Sequence, residues 1–457
     1  MTLQDVLTKI DQDLPQATER LLTLLRIPSI STDPAYTQAC DSAADWLVTD
    51  LLSMGVTAEK RVTPGHPMVV GHIGEGAPHI LFYGHYDVQP VDPLELWDSD
   101  PFDPQLQDTP GGRVIRGRGS SDDKGQLMTF IEACRAWQAV HGSLPCRITF
   151  FFEGEEESGS PSLVPFMQDN KAELSADLAL ICDTGLFESR TPAIITMLRG
   201  KLGEEIVITA ANKDLHSGMY GGIAINPIRV LSRILSGLHD DQGRITLAGF
   251  YDGVPPLSES LRRQWHRLDF DHTAFLADVN LSHPAGERGK TPLEMIWSEP
   301  TCEINGIAGG YTGAGFKTVL PSTATAKLSF RLVGQQDPLK IRDAFRAYVT
   351  NMLPADCTVS FGDHGASAAS LMATDHPAFD AARAALNDEW PDAAAYIGCG
   401  GSIPVAGYFK DITEMDAMLI GFAKDDDQIH SPNEKYDVES FHKGIRSWAR
   451  ILAAISA

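Results

Sequence analysis

Three absences narrow the field before any motif is read. No apolar run in the 457 residues approaches the roughly 20 needed to cross a bilayer. Positive charge is scarce: 37 Lys and Arg against 61 Asp and Glu leave a formal net charge of -24. Such a chain is repelled by nucleic acid and by anionic membranes, so neither is expected as a partner. Cysteine is sparse and unpatterned. Cys40, Cys134, Cys146, Cys182, Cys302, Cys357 and Cys399 are odd in number and show no CxxC spacing. Neither a disulfide framework nor a thiolate zinc site is signalled, and the expected compartment is the cytoplasm. The first 31 residues carry acids early and no basic stretch followed by an apolar one. They read as an amphipathic helix and not as a signal peptide. No internal repeat, low-complexity tract or GxSxG nucleophile elbow occurs.

What is there is an alternation. Helical patterns cover about 14–27 and 41–54, with strand-like runs near 67–73 and 79–84. "GQLMTFIEACRAWQAVHG" follows as a helix, then "CRITFFFEG" and "DLALICD" as strands. At 457 residues the chain exceeds one compact core, and two domains are the default. The alternation predicts an α/β domain with a largely parallel central sheet covered by helices. The middle differs: "EEIVITAANKD" and "TATAKLSFRLVG" alternate by twos, like strands with one wet face. Helices are expected near 226–237 and 338–352, and "GIAGGYTGAG" reads as a glycine-rich loop. The last part returns to the first style, with helices near 376–388 and from about 438. The expected architecture is a discontinuous domain, 1–199 and 371–457, interrupted by an inserted α+β lid domain, 200–370.

Five stretches of the outer domain place acids or a histidine where an apolar strand ends. "LFYGHYDVQP" sets His85 and Asp87 on one face of extended backbone. "GRGSSDDKG" holds Asp122, "FFFEGEEESGS" holds Glu156 and Glu157, "LALICDTG" ends on Asp183, and "DDDQIHSPNEKY" carries His430. Loops at the carboxyl ends of parallel strands gather in one crevice, so these residues are expected to converge. So many carboxylates repel each other unless cations balance them. Two divalent metals would do so, and histidine with carboxylate suits zinc or manganese better than calcium. His85 is then a ligand, with Asp87 on its other ring nitrogen. Two metals can share a water and lower its pKa, and a free carboxylate beside a ligand carboxylate, as in Glu156–Glu157, can take that water's proton. Each feature alone has a plainer reading: a capped loop for His85 and Asp87, a helix start for "DDKG", a solvated face for the glutamates, a turn for Asp183, a surface residue for His430. The conjunction carries the argument.

At this point the motifs "GHYDVQP", "GRGSSDDKGQ", "EGEEESGS", "DLHSGMYGG", "LSFRLV", "GGSIPV" and "HSPNEKY" resemble the M20 metallopeptidase family. Within it they are most similar to the dipeptidase branch that includes the carnosinases and cytosolic nonspecific dipeptidases. The match runs in order from about residue 20 to the terminal helix. The resemblance implies that Asp122 bridges two metals, that His85 and Asp183 complete one site, and that Glu157 and His430 complete the other. It implies Glu156 as general base and acid and Asp87 as the residue that orients His85. It also implies a catalytic domain with a lid that dimerises. His216 would reach the partner subunit's active site and help hold the oxyanion. Arg331 would grip the substrate's C-terminal carboxylate through two parallel hydrogen bonds. Gly401 and Ser402, with Gly400, would contact the substrate backbone. Without the resemblance, His216 reads as a loop cap, Arg331 as an exposed strand arginine and "GGSIPV" as a turn before a helix.

The expected function is di-metal hydrolysis of dipeptides or short peptides. One departure stands out: many of the related dipeptidases have a glutamate before the Gly-Gly-Ser stretch, where this chain has Cys399. An acid there would favour a free substrate ammonium, so its absence admits N-acyl substrates. The rivals are therefore an N-acyl-amino-acid deacylase on the same centre, a catalytically silent metal- or peptide-binding protein, and a hydrolase using a serine or Cys399 as nucleophile. The last has no identified base for its nucleophile.

Overall fold

The computed structural model describes residues 2–372, 374, 376–401 and 403–457. The chain divides into two compact units. The first comprises Met1–Ile195, Met372–Tyr396 and Tyr408–Ala457, and the second comprises Thr196–Leu371 and Ile397–Gly407. Residues 397–407, with the Gly400–Gly401 turn, thus group with the inserted unit and not with the C-terminal stretch around them.

The first unit is built on a mixed sheet. At its centre Arg147–Glu153, His79–His85, Leu178–Ile181 and Ala417–Leu419 run parallel. Toward one edge Met68–Ile73 and Thr57–Arg61 join antiparallel. The sheet is therefore parallel where the functional strands lie and antiparallel beyond them. The central strands are short apolar runs buried on both faces, as helix-covered parallel strands must be. Phe82 stacks on Phe130 of helix Lys124–His141 at 3.8 Å between ring centroids, and Trp448 of the terminal helix meets both rings edge-on. Helix Lys124–His141 ends on Gly142, whose φ of +71° closes the last turn as glycine does readily.

The amphipathic helix expected at the start forms, beginning before the helical pattern read at about 14–27. It runs Leu3–Leu25, with Pro15 inside it. Proline normally interrupts a helix. Here the capping box of Thr2 and Asp5 starts the helix, and the buried stripe Val6, Leu7, Ile10 resumes at Ala17, Leu21 and Leu24 beyond the proline.

The second unit carries a four-stranded antiparallel sheet in the order Thr301–Gly309, Thr323–Leu332, Gly200–Thr209, Thr358–Ser367. Strand Thr323–Leu332 buries every second residue, as its period-two pattern requires. Leu202, Ile206, Leu328 and Phe330 share a core with Ile234 and Leu231 of helix Pro227–Ser236 and Phe345 of helix Pro338–Asn351. The glycine-rich stretch is only half a loop: Gly306–Gly309 are paired strand residues. A Cβ on Gly309 would stand 3.2 Å from that of Ala324, so glycine here serves close strand packing as well as turning.

Candidate metal centre

All of the centre lies in the first unit. His85 is the last residue of its strand and sits in register beside Glu153, the last residue of the next. Asp183 follows Leu178–Ile181 by two residues. Asp122 ends the loop before helix Lys124–His141, and Glu157 lies in the turn after Glu153. His85, Glu157, Asp183 and His430 lie at or after the carboxyl ends of parallel strands, as expected. Asp122 comes instead from the loop after Gly112–Arg116, a strand of a separate antiparallel sheet.

The geometry is a pair of clusters with one member in common. One ligand atom from each of His85, Asp122 and Asp183 lies within 4.8 Å of the others, and the same holds for Asp122, Glu157 and His430. His85 Nε2 is 3.1 Å from Asp122 Oδ1, and His430 Nε2 is 2.9 Å from Asp122 Oδ2. Each Asp122 oxygen thus faces a different histidine. His430 Nε2 is also 3.3 Å from Glu157 Oε1.

Electrostatics explain why the site needs cations. Hydrogen bonds to Asp122 and Glu157 push the His430 imidazole up to about 10. Burial works against charge on His85, yet its hydrogen bonds to Asp122 and Asp87 raise it well above the ordinary imidazole value. Burial would raise Asp122 too, but the two histidines hold it below the usual carboxylate range. Asp183 has no such help, and burial followed by the charge of Asp122 pushes it well above the carboxylate range. Protonated, the two histidines would act as counter-cations to the acids. Divalent ions would do this better, leaving the imidazoles neutral and Asp183 ionised. Two nitrogen and three carboxylate donors, one of them shared, fit a pair of divalent ions.

The neighbouring residues fix the ligands. His85 Nδ1 lies 3.1 Å from the carbonyl oxygen of Asp87 and 3.3 Å from its Oδ1. The Asp87 carboxylate also accepts the backbone N–H groups of Glu156 at 3.3 Å and Glu157 at 3.0 Å. It therefore positions the glutamate turn as well as His85. Gln89 donates to Glu157 Oε2 at 2.6 Å. Glu156 has its carboxyl pushed up by burial, with His85 opposing and the charges of Glu157 and Asp87 adding to the rise. A carboxylate of raised pKa beside the ligands is suited to proton transfer.

Glu434 is the residue that sequence reading missed. It is fully buried. Its Oε1 accepts from the N–H groups of Ser121 at 2.9 Å and Asp122 at 3.0 Å, and its Oε2 accepts from Gly119 at 2.9 Å and Arg118 Nη1 at 2.7 Å. One carboxylate thus ties the loop of His430 to the loop of Asp122. Its only sequence signal was the single acid of "HSPNEKY" opposite the small-residue loop "GRGSS", whose amides need an acceptor. Gly125 adds to the fit, since a Cβ there would stand 1.8 Å from the Ser120 carbonyl oxygen.

The remaining expected residues are in the second unit. His216 is exposed at the end of a two-residue strand, and its Nδ1 accepts the Gly218 N–H at 3.1 Å. In the single chain it is a local cap. Arg331 is half-buried on Thr323–Leu332, opposite Lys201 and Thr301. Gly401 accepts the Arg199 N–H at 3.2 Å and donates its own to Cys399 Sγ at 3.3 Å. Ser402 lies outside the described residues.

Comparison with known proteins decides the family. The model of peptidase family M20/M25/M40 matches residues 81–454. The chain belongs to this family. The M20 peptidase is 29% identical to the Cys-Gly metallodipeptidase dug1 of Schizosaccharomyces pombe over 476 aligned positions, covering 100% of this chain and 99% of the relative. It superposes on human carnosine dipeptidase 1 with a TM-score of 0.77 at 25% identity, covering 100% of this chain and 99% of the other. Against the M20 metallo-carboxypeptidase Sso-CP2 of Sulfolobus solfataricus the TM-score is 0.80 at 29% identity, covering 96% and 99%. The M20 peptidase is thus a hydrolase, with donors for a dinuclear metal site. Among its described residues no helix is long and apolar enough to cross a membrane.

Proposed function

We propose that this chain hydrolyses the peptide bond of dipeptides or very short peptides at a centre of two divalent ions, zinc or manganese. The observation that carries the reading is the sharing of Asp122 between two ligand clusters, on a chain aligned end to end with a metallodipeptidase. In this reading His85, Asp122 and Asp183 hold one ion, and Asp122, Glu157 and His430 hold the other. The ions supply Lewis acidity and lower the pKa of the attacking water. Glu156 takes the proton from that water and returns it to the leaving amine, for which its raised pKa is suited. Asp87 holds both His85 and the amides of Glu156 and Glu157. Arg331 grips the C-terminal carboxylate with two parallel N–H donors. Gly401 and Ser402 lie against the substrate backbone.

His216 acts on the oxyanion from a second copy of the chain, which makes the working unit a homodimer. A face of the second unit supports that reading. Strand Thr301–Gly309 is at the sheet edge and pairs on one side only. Beside it lies an apolar groove lined by Ile228, Leu231, Leu235, Ile304 and Ile307, with Ile307 64% exposed. An edge strand with exposed apolar side chains is a surface for pairing with another chain. None of the seven cysteines is in a disulfide among the described residues, in keeping with a reducing cytoplasm.

A second reading is favoured by Cys399. No acid stands there to meet a free substrate ammonium, and Cys399 Sγ instead accepts the Gly401 N–H. Combined with the likeness to a metallo-carboxypeptidase, this opens the site to N-acylated substrates. The deciding experiment incubates metal-loaded protein with a free dipeptide and with its N-acetylated twin, and scores release of the C-terminal amino acid. Cleavage of the free dipeptide alone gives a dipeptidase. Equal or faster cleavage of the acetylated twin gives a deacylase or carboxypeptidase. Cleavage of neither overturns both.

A further inference from the structure

The second unit contains a cavity that has no part in the function proposed above. It has a volume of about 250 Å³ and is lined by Arg262, Trp265, Phe270, His272, Leu293 and Glu294, among others. Its walls come from two short helices, Glu259–Trp265 and Pro292–Trp297, and from the segment between them. Drug-sized ligands occupy cavities of about 300 Å³ and more. This volume therefore suits a single small metabolite.

The chemistry of the walls is divided. Trp265, Phe270, Pro292 and Leu293 offer apolar and aromatic surface, and Trp265 is held edge-on against Trp297 at 5.0 Å. The polar part comprises His266, His272 and Thr291 and one pair of opposite charges. Arg262 Nη2 lies 3.3 Å from Glu294 Oε1. The other Glu294 oxygen is committed, accepting the Thr291 N–H at 2.8 Å in a capping box that fixes the carboxylate in place. The pair is incompletely satisfied: Arg262 Nε and Glu294 Oε1 are both buried with no hydrogen-bond partner. Glu294 is almost wholly buried, while the Arg262 side chain is 40% exposed and so within reach of a ligand. Buried polar atoms left without partners are costly, and a ligand supplying the missing partners would recover that cost.

The charges select the ligand class. A simple carboxylate would pair with Arg262 but be repelled by Glu294. A simple amine would pair with Glu294 but be repelled by Arg262. Only a molecule carrying both charges a short distance apart satisfies both, and the aromatic wall asks for an apolar side chain beside them. We propose that this cavity binds a free α-amino acid with a bulky apolar side chain, its carboxylate on Arg262, its ammonium on Glu294 and its side chain against Trp265 and Phe270. The link to the proposed function is that such amino acids are products of peptide hydrolysis, so the cavity would hold what the centre releases.

The test is equilibrium dialysis of labelled L-phenylalanine against the full-length, metal-loaded protein carrying Arg331→Met, which weakens amino-acid binding at the proposed substrate site. One saturable site per chain is expected to remain. Adding Arg262→Met is expected to weaken it at least about tenfold, the loss of one charged hydrogen-bonding partner. Phenylacetate and phenethylamine, each lacking one charge, are expected to compete at least about tenfold more weakly than L-phenylalanine. If the Arg262→Met protein does not melt cooperatively, Phe270→Ala in the same background gives the same readout from the apolar wall. No saturable site, or a site indifferent to Arg262→Met or to Phe270→Ala, overturns the inference. Dipeptide hydrolysis by the unmodified chain is measured in parallel. Hydrolysis without a site at Arg262 overturns this inference alone, and binding without hydrolysis overturns the proposed function alone.

Discussion

The metal centre and the lid differ in how far one chain organises them. In the centre most of the clustered donors are held by neighbours. Asp122 meets two histidines, its backbone is held by Glu434, and Asp87 holds both His85 and the glutamate turn. In the inserted unit, His216 bonds only to Gly218 two residues on, and it is exposed. The difference teaches that the candidate metal donors are assembled within the first unit, whereas under the proposed function the substrate-handling residues are completed from outside the single chain. A fixed set of donors is what electrostatic catalysis requires. Residues that grip substrate gain from being completed only when substrate or a second copy arrives.

The comparison is broken first by Glu156. Glu156→Ala is expected to lower kcat about 10²–10⁴-fold, the usual worth of a general base, while metal analysis still finds both ions, because Glu156 is not among the clustered donors. Full activity in this variant would remove it from the mechanism. Next comes the brace. Glu434→Gln takes the charge from a carboxylate that accepts four donors, and metal affinity is expected to fall about 10–100-fold. Saturating metal should then restore most of kcat, and a fall in kcat that added metal does not repair would make Glu434 merely structural.

On the lid side the expected effects fall on binding. Arg331→Met is expected to raise KM about tenfold or more for a dipeptide with a free carboxylate and to leave its C-terminally amidated twin unchanged. Equal losses for both would deny the carboxylate contact. The smallest change in chemistry, and the sharpest test of the contrast, is Ile307→Asp on the exposed edge strand. Sedimentation should show a monomer with both ions still bound. If that monomer keeps full kcat, His216 does not act from a second copy.

How much of this was legible in the sequence follows the same divide. His85, Glu157, Asp183 and His430 could be read because each ends an apolar parallel strand or sits in the loop after one, and parallel strands bring such ends together. Asp122 instead follows Gly112–Arg116 of a separate antiparallel sheet, so only its motif marked it. Glu434 could not be read, since its role is to accept backbone amides that carry no side-chain signature. Gly306–Gly309 reads as loop on composition, yet the chain pairs there because strand Thr323–Leu332 offers a buried partner face. The helix Leu3–Leu25 runs through Pro15 because the apolar stripe is buried on both sides of it. The grip of Asp87 on the glutamate amides depends on a turn that folds back 69 residues later.

The measurement closest to the central claim counts metal. The chain is stripped with chelator, titrated with zinc, and analysed for bound ions alongside Asp122→Asn. Two ions per chain are predicted for the unmodified protein, with both weakened together by the single substitution, because Asp122 belongs to both clusters. One ion per chain, or the loss of only one in Asp122→Asn, would contradict a shared carboxylate at the heart of the site.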